Sequence, residues 1–239
     1  MDKVMITGGT GTIGSLVIKK FVNLGYDVYF QYHDNVKFAK KLMREYGVKG
    51  IQISAEQMIE KKDFSGVPKD CKILINCIGK HIVVQEAESV KVEEIDCLFK
   101  TNVEVPFLFI KYFLPYMKQI GCGYIINISS VCGLRIGENN IPYILSKHAL
   151  SALTKCIAEE YGQYGIRCNE ICPSAIKSNM NDEILKKESE LYGYGLQEYI
   201  FLEGGKEPLD PEVIVDSIIF LISDKASGIN GYSLVIDND

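Results

Sequence analysis

Apolar residues recur along this chain with two alternating periods. Lys3–Thr7 (KVMIT), Asp27–Tyr32 (DVYFQY), Lys72–Asn76 (KILIN), Tyr124–Ser129 (YIINIS) and Ile166–Cys172 are short apolar or β-branched runs, the mark of buried strands. Between them the period lengthens. Ile13, Leu16, Val17, Phe21 and Leu24 form one stripe of a helix over Thr12–Leu24, which Gly25 ends. Basic, helix-like spacing runs through Tyr46, and Ile51–Ser54 reads as a third strand. Thr101–Gln119 reads as a helix that is apolar almost all round despite Pro106 and Pro115. Pro142–Tyr161 and Pro211–Ile222 are further helices, and Ser233–Asp237 closes the chain as a strand. Asn179–Pro208 is a polar and aromatic stretch.

Strands alternating with helices call for an α/β fold: one parallel sheet of about seven strands, doubly wound, with helices on both faces. Repeats, low-complexity tracts and linkers are absent, so residues 1–239 read as a single domain. Such sheets bind ligands at the carboxyl ends of their strands, which is where chemistry should be sought.

Composition narrows the function classes. The 239 residues are 47% hydrophobic and 24% charged, with a formal net charge of −5; disorder and nucleic-acid binding are disfavoured. The longest uncharged run, Gln119–Leu134, contains Asn127, Ser129, Ser130 and three glycines and is too short and polar to span a membrane. No signal peptide is visible ahead of the first glycines. Eight cysteines with no C-x-x-C spacing, mostly inside apolar segments, read as free thiols of a cytoplasmic protein. No metal site is expected.

Two constellations carry chemistry. Directly after the first strand, Gly9 to Gly14 reads G-x-G-x-x-G and opens a helix; such glycines let backbone amides and the helix N-terminus approach a pyrophosphate. A carboxylate at the tip of the second strand would hold a ribose 2′-OH. Here the tip reads Gln31-Tyr32-His33-Asp34-Asn35. Asp34 comes late, whereas His33 and Lys37 suit a 2′-phosphate, which favours NADP(H) over NAD(H). The second constellation is Ser130, at the end of the fifth strand, with Tyr143 and Lys147 at i and i+4 of the following helix, on one face. A phenol has an ordinary pKa of about 10, and a neighbouring ammonium favours its phenolate. A serine hydroxyl can hydrogen-bond a developing oxyanion.

In order and spacing these motifs resemble the short-chain dehydrogenase/reductase family, over nearly the whole chain. The resemblance implies a Rossmann-type sheet and an NAD(P)(H)-dependent oxidoreductase that interconverts a carbonyl and an alcohol. It assigns Asn102, Ser130, Tyr143 and Lys147 to catalysis. Tyr143 would be the general acid/base, Lys147 would bond the nicotinamide ribose and bias Tyr143, Ser130 would orient the carbonyl, and Asn102 would hold a water of the proton relay. The cofactor would lie against Gly8, Thr10, Gly11, Thr12, Ile13, Gly14, His33, Asn76, Gly79, Tyr143, Lys147, Pro173, Ile176 and Ser178. Asn76-Cys77-Ile78-Gly79 is similar to the family's N-x-x-G, and Cys172–Ser178 to the segment after its sixth strand. There Ile176 would offer backbone groups, and Ser178 a hydroxyl, to the carboxamide.

Three features depart from the family pattern. Glycines 8, 11 and 14 are spaced as in the longer sugar-nucleotide branch, which keeps an epimerase or dehydratase as an alternative, though the chain is short for it. Ser54 replaces an Asp that often faces the adenine. Ser174 replaces a Gly after Pro173. A non-catalytic dinucleotide sensor is a further alternative, against which the Ser130, Tyr143, Lys147 and Asn102 set argues. Asn179–Pro208 is expected to be a lid, with Tyr192, Tyr194, Tyr199 and Phe201 either walling the pocket or packing onto the lid itself. The substrate is expected to be a small carbonyl or alcohol. The compact branch is similar to 3-oxoacyl-[acyl-carrier-protein] reductases, but Gly121 and Tyr164 stand where those place basic residues, so an acyl carrier protein is not favoured. Phe107, Phe109, Tyr112, Phe113 and Tyr116 exceed one core's need, and family members pair these helices, so a homodimer or homotetramer is expected.

Overall fold

The computed structural model describes residues 1–82, 84–137, 140–198 and 207–238. Seven strands form one sheet in the order β3-β2-β1-β4-β5-β6-β7: β1 (Lys3–Thr7), β2 (Asp27–Tyr32), β3 (Lys49–Gln52), β4 (Ile73–Asn76), β5 (Gly123–Ile128), β6 (Ile166–Pro173) and β7 (Ser233–Ile236). Every pairing is parallel. The strand order reverses between β1 and β4, which places a crevice at their carboxyl ends.

Helices cover both faces. On one side α1 (Thr12–Asn23), α2 (Val36–Tyr46) and α8 (Glu212–Ile222) close a core around Phe21, Phe30, Ile75 and Ile218. On the other, α3 (Ala55–Lys61), α5 (Val105–Ile120) and α6 (Ile141–Tyr161) bury Met58, Phe109, Phe113 and Ile157. α4 (Val92–Phe99) leads through a wider π turn, Lys100–Glu104, into α5, and α7 (Asn179–Tyr192) follows β6. Pro106 is the second residue of α5, directly after the π turn.

Several expected boundaries move. The third strand is Lys49–Gln52 rather than Ile51–Ser54, because Ser54 caps α3: its hydroxyl accepts the Gln57 amide at 3.1 Å, and the Gln57 side chain accepts the Ser54 amide at 2.8 Å. The helix expected from Thr101 begins earlier, as α4 and the π turn. Part of the stretch expected to be merely polar and aromatic is α7. Of the five aromatics on α5, Phe109 and Phe113 are fully buried, Tyr112 stacks on Phe64 with ring centres 4.5 Å apart, and Phe107 stays exposed. The second core therefore takes up most of the apolar surface that suggested an interface. Among the described residues no helix is long and apolar enough to cross a membrane.

Candidate active site

The first β–α junction is built by exclusion. Gly8 has φ +63°, and a Cβ there would lie 2.9 Å from the Ile78 backbone; a Cβ on Gly14 would lie 2.4 Å from the Gly8 carbonyl oxygen. A side chain at Gly8 would push the loop away from the chain after β4, and one at Gly14 would push it away from α1. Gln31 fastens the loop from below: its Oε1 accepts the Gly8 amide at 3.0 Å, its carbonyl accepts the Gly9 amide at 2.9 Å, and its Nε2 donates to the Ile53 carbonyl at 2.7 Å. The N-cap of α1 is Gly11, with no side-chain cap and no acid in the first turn. The Thr12 and Ile13 amides thus open onto the crevice with a positive dipole end and no carboxylate to oppose an anion. This donor set suits a pyrophosphate. An open cleft of about 490 Å³ adjoins it, lined by Thr12, Lys177, Ser178, Asn179, Asp182 and Pro208.

Across the crevice a row of buried polar side chains ties the strand ends together. Thr7, Asn76 and Asn127 stand in register on β1, β4 and β5. Thr7 Oγ1 donates to Asn76 Oδ1 at 3.3 Å, Asn76 Nδ2 donates to Asn127 Oδ1 at 2.8 Å, and Asn127 Nδ2 donates to Thr154 Oγ1 on α6 at 2.9 Å. Thr7 Oγ1 also accepts the Ile78 amide at 3.2 Å, which sets the course of the chain toward Gly79. A satisfied network of this kind fixes the geometry around it. A Cβ on Gly79 would lie 3.7 Å from Lys147 Nζ, so the backbone passes directly over the lysine.

The structure brings Ser130, Tyr143, Lys147 and Asn102 together. Lys147 Nζ lies 5.6 Å from the Tyr143 ring centre and donates to the Ile128 carbonyl at 3.1 Å. Ser130 accepts the Cys132 amide at 3.2 Å, and its hydroxyl, bonded to the Tyr143 phenol, pulls that phenol's pKa down. Burial opposes and wins, holding Tyr143 well above the ordinary phenol value; the same burial lowers Lys147 to about 8. A phenolate favoured by the ammonium is therefore not what this state shows: desolvation keeps Tyr143 a phenol. The neighbouring Ser129 turns toward Ser151 on α6 at 3.5 Å.

Asn102 owes its position to the π turn, which rotates it inward. Its Oδ1 accepts the Lys80 amide at 2.8 Å, while Nδ2 donates to the Lys80 carbonyl and to Ser146 Oγ, both at 3.0 Å. Ser146 in turn donates to the Tyr143 carbonyl at 2.8 Å, so Asn102 braces both the N-x-x-G loop and the tyrosine's turn of helix.

His81 is a site residue that sequence reasoning missed. Its ring packs on Tyr143 with centres 4.3 Å apart, and Nε2 is 3.1 Å from Asn140 Nδ2 at the start of α6. Burial, reinforced by the Lys147 charge, lowers it to about 4, so the imidazole is neutral. Its place two residues after Gly79, in a chain with three histidines, was the available signal.

Beyond β6 the segment reaches over the crevice. Leu209 pairs with Ile176: the Lys177 amide donates to the Leu209 carbonyl at 2.9 Å, and the Leu209 amide to the Ala175 carbonyl at 2.8 Å. Those bonds leave the Ile176 amide and carbonyl directed away from Leu209. Ser178 caps α7 by accepting the Asn181 amide at 3.1 Å, which leaves its hydroxyl proton available to donate. Pro173 ends β6, and the Ser174 amide still bonds the β7 carbonyl of Ile236 at 2.9 Å, so this junction is held by the sheet. Tyr192 and Tyr194 are exposed rather than packed into a core; Tyr199 and Phe201 lie outside the described residues. At the tip of β2, His33 is exposed and pairs with Asp34 at 3.2 Å. Thr10 stands in the glycine loop between Gly9 and Gly11.

Comparison with known proteins agrees with this geometry. A family model described as enoyl-(acyl carrier protein) reductase matches residues 9–238. The chain is 30% identical to the uncharacterized oxidoreductase YxjF of Bacillus subtilis (strain 168), over 98% of this chain and 95% of that protein. It superposes on ElxO with NADP bound (TM-score 0.80, 26% identity, 99% of this chain and 97% of that one). It also superposes on 4-hydroxyisoleucine dehydrogenase complexed with NADH (TM-score 0.82, 26% identity, 99% and 97%).

Proposed function

Because the chain belongs to the short-chain dehydrogenase/reductase family, we propose that it reduces a small carbonyl compound, or oxidises the matching alcohol, with a nicotinamide dinucleotide. The observation that carries this reading is the convergence of Ser130, Tyr143 and Lys147 beside the backbone of Gly79, next to an uncapped glycine-rich helix start. Gly8–Gly14, with the amides of Thr12 and Ile13, would hold the pyrophosphate. Asn76 and Gly79 border the adenosine side; Pro173, Ile176 and Ser178 would hold the carboxamide. When bound, the nicotinamide supplies or accepts the hydride.

The chain's own residues handle the proton and the orientation. Ser130 donates to the substrate oxygen and holds it beside the Tyr143 hydroxyl. Tyr143, a phenol in its buried setting, gives its proton to that oxygen in reduction and takes it back in oxidation. Lys147, an ammonium below about pH 8, bonds the ribose and offsets negative charge on Tyr143. Asn102 holds the Lys80 backbone so that a water can reach Lys147 and return protons from solvent. Residues 179–198 and 207–208 would form the described part of a lid over the substrate, on one catalytic domain.

His33, just past the tip of β2, and Lys37, at the start of α2, are both exposed and favour NADP(H) over NAD(H); ElxO carries NADP and 4-hydroxyisoleucine dehydrogenase carries NADH. Exposed Phe107 on α5 and Leu145 on α6 support pairing into a homodimer or homotetramer. Free cysteines, three of them buried, support a reducing cytoplasm. Fluorescence titration with NADPH and NADH, followed by a screen of carbonyl compounds for loss of nicotinamide absorbance, tests the reading. Nucleotide binding with no turnover of any carbonyl would favour the sensing role instead.

A further inference from the structure

Two charged side chains are buried among the described residues: Lys147 at 3% exposure and Glu170 at 0%. The site explains the lysine and leaves the glutamate unexplained. Glu170 lies on β6, between strands on both sides, where aliphatic residues are the rule. Ser151 Oγ donates to its Oε2 at 2.8 Å and Ser233 Oγ to its Oε1 at 2.5 Å. Both oxygens accept, the pattern of a carboxylate, yet neither serine brings charge, and Glu170 forms no ion pair among the described residues. A buried ion without compensation is strongly disfavoured, so the countercharge must come from nearby.

Its connection is to Lys147. Ser151 stands one turn beyond Lys147 on α6, on the same face. Glu170 and Cys172 are i and i+2 on β6 and face that helix together. The region is closed: a Cβ on Gly133 would lie 2.8 Å from Ser129 Oγ and Ser151 Oγ and 3.0 Å from the Lys147 carbonyl oxygen. The titratable groups facing Lys147 are Tyr143, Cys132, Cys172, His81 and Glu170. Cys172 is pushed up to about 12 by burial, burial likewise holds Tyr143 a phenol, and His81 is neutral; Glu170 is the carboxyl group among these neighbours.

Building on the reading of Lys147 above, we propose that Glu170 is a positioning residue: a buried countercharge, clamped between α6 and β7 by Ser151 and Ser233, that keeps Lys147 an ammonium where it meets the nucleotide. The Glu170 field raises the lysine's proton affinity against the desolvation that lowers it.

Glu170→Gln removes the charge at nearly constant shape. Nucleotide affinity (NADPH fluorescence) and kcat for ketone reduction are followed against pH. The expected result is a basic limb moved down by about one pH unit, with affinity near pH 6 within about twofold of wild type and a loss of about fivefold near pH 8, tending to about tenfold above pH 9. Glu170→Asp, which keeps the carboxylate, restores the limb. A limb unchanged in Glu170→Gln, or affinity lost equally at every pH, would overturn the proposal and leave a purely structural clamp. Should Glu170→Gln not fold, Ser151→Ala decides: loosening the carboxylate from α6 moves the limb the same way by less, and no movement overturns the claim. The binding titration needs no turnover. Failure to reduce any carbonyl thus counts against the redox reading alone, and a stationary binding limb counts against Glu170 alone.

Discussion

The Lys147 ammonium lies 5.6 Å from the centre of the Tyr143 ring and is held there by the Ile128 carbonyl, 3.1 Å from Nζ. The carbonyl thereby fixes the ammonium over the tyrosine ring. Burial acts on the two groups in opposite directions, holding the phenol up and the ammonium down. Near neutrality both carry their protons, the state that serves reduction.

Removing the phenolic oxygen should separate binding from chemistry. Tyr143→Phe keeps the ring against His81 but has no proton to give, so carbonyl turnover should fall by about 10²–10⁴-fold. The NADPH dissociation constant should change by no more than about twofold. Parallel steady-state and fluorescence measurements check this, and near-normal turnover would remove Tyr143 from the mechanism.

The pH profile follows from the lysine. Lys147 is charged below about 8 and neutral above it, so its bond to the ribose and its charge are present at neutral pH and lost as pH rises. Ketone reduction should hold up to about pH 7 and fall about tenfold per unit well above pH 8. His81, lowered to about 4, adds no acidic limb above about pH 5. A rate constant from about pH 6 to pH 10 would contradict the role given to Lys147.

Gly14 is a steric requirement that substitution exposes. Gly14→Ala sets a Cβ 2.4 Å from the Gly8 carbonyl oxygen, so the cradle and α1 must separate. A destabilisation of about 1–3 kcal/mol is expected, with weakened binding of both nucleotides. Thermal melting with and without NADPH measures both effects, and a variant that melts and binds as wild type would contradict the packing account.

His33 tests the coenzyme preference. It is exposed and paired with Asp34, so its replacement should leave the fold intact. His33→Ala should weaken NADPH about fivefold and leave NADH unchanged, the scale of one exposed ionic contact. Equal loss for both would place His33 away from the 2′ position.

Much of the fold was legible because its strands are buried on both faces and so read as continuous apolar runs: β1 and β2 match the expected limits. β3 slipped because it is an edge strand whose first residues, Lys49 and Gly50, carry no apolar signal. Short α3 and α4 offer too few turns for a period to emerge. The glycine cradle was legible because sterics admit nothing else there. The π turn under Asn102 is a shift in hydrogen-bond register, which leaves no trace in apolar spacing. His81 meets Tyr143 only through tertiary folding, and Glu170 is an isolated acid within an apolar strand, so neither carried a local pattern.

The most direct test of the redox assignment is isotope transfer. Reduction of a ketone found in the carbonyl screen, using NADPH deuterated at nicotinamide C4, should yield an alcohol with deuterium on the carbinol carbon, and Tyr143→Phe should slow its formation by about 10²–10⁴-fold. An alcohol whose new carbon-bound hydrogen comes from solvent, or label transfer undiminished in Tyr143→Phe, would contradict the account.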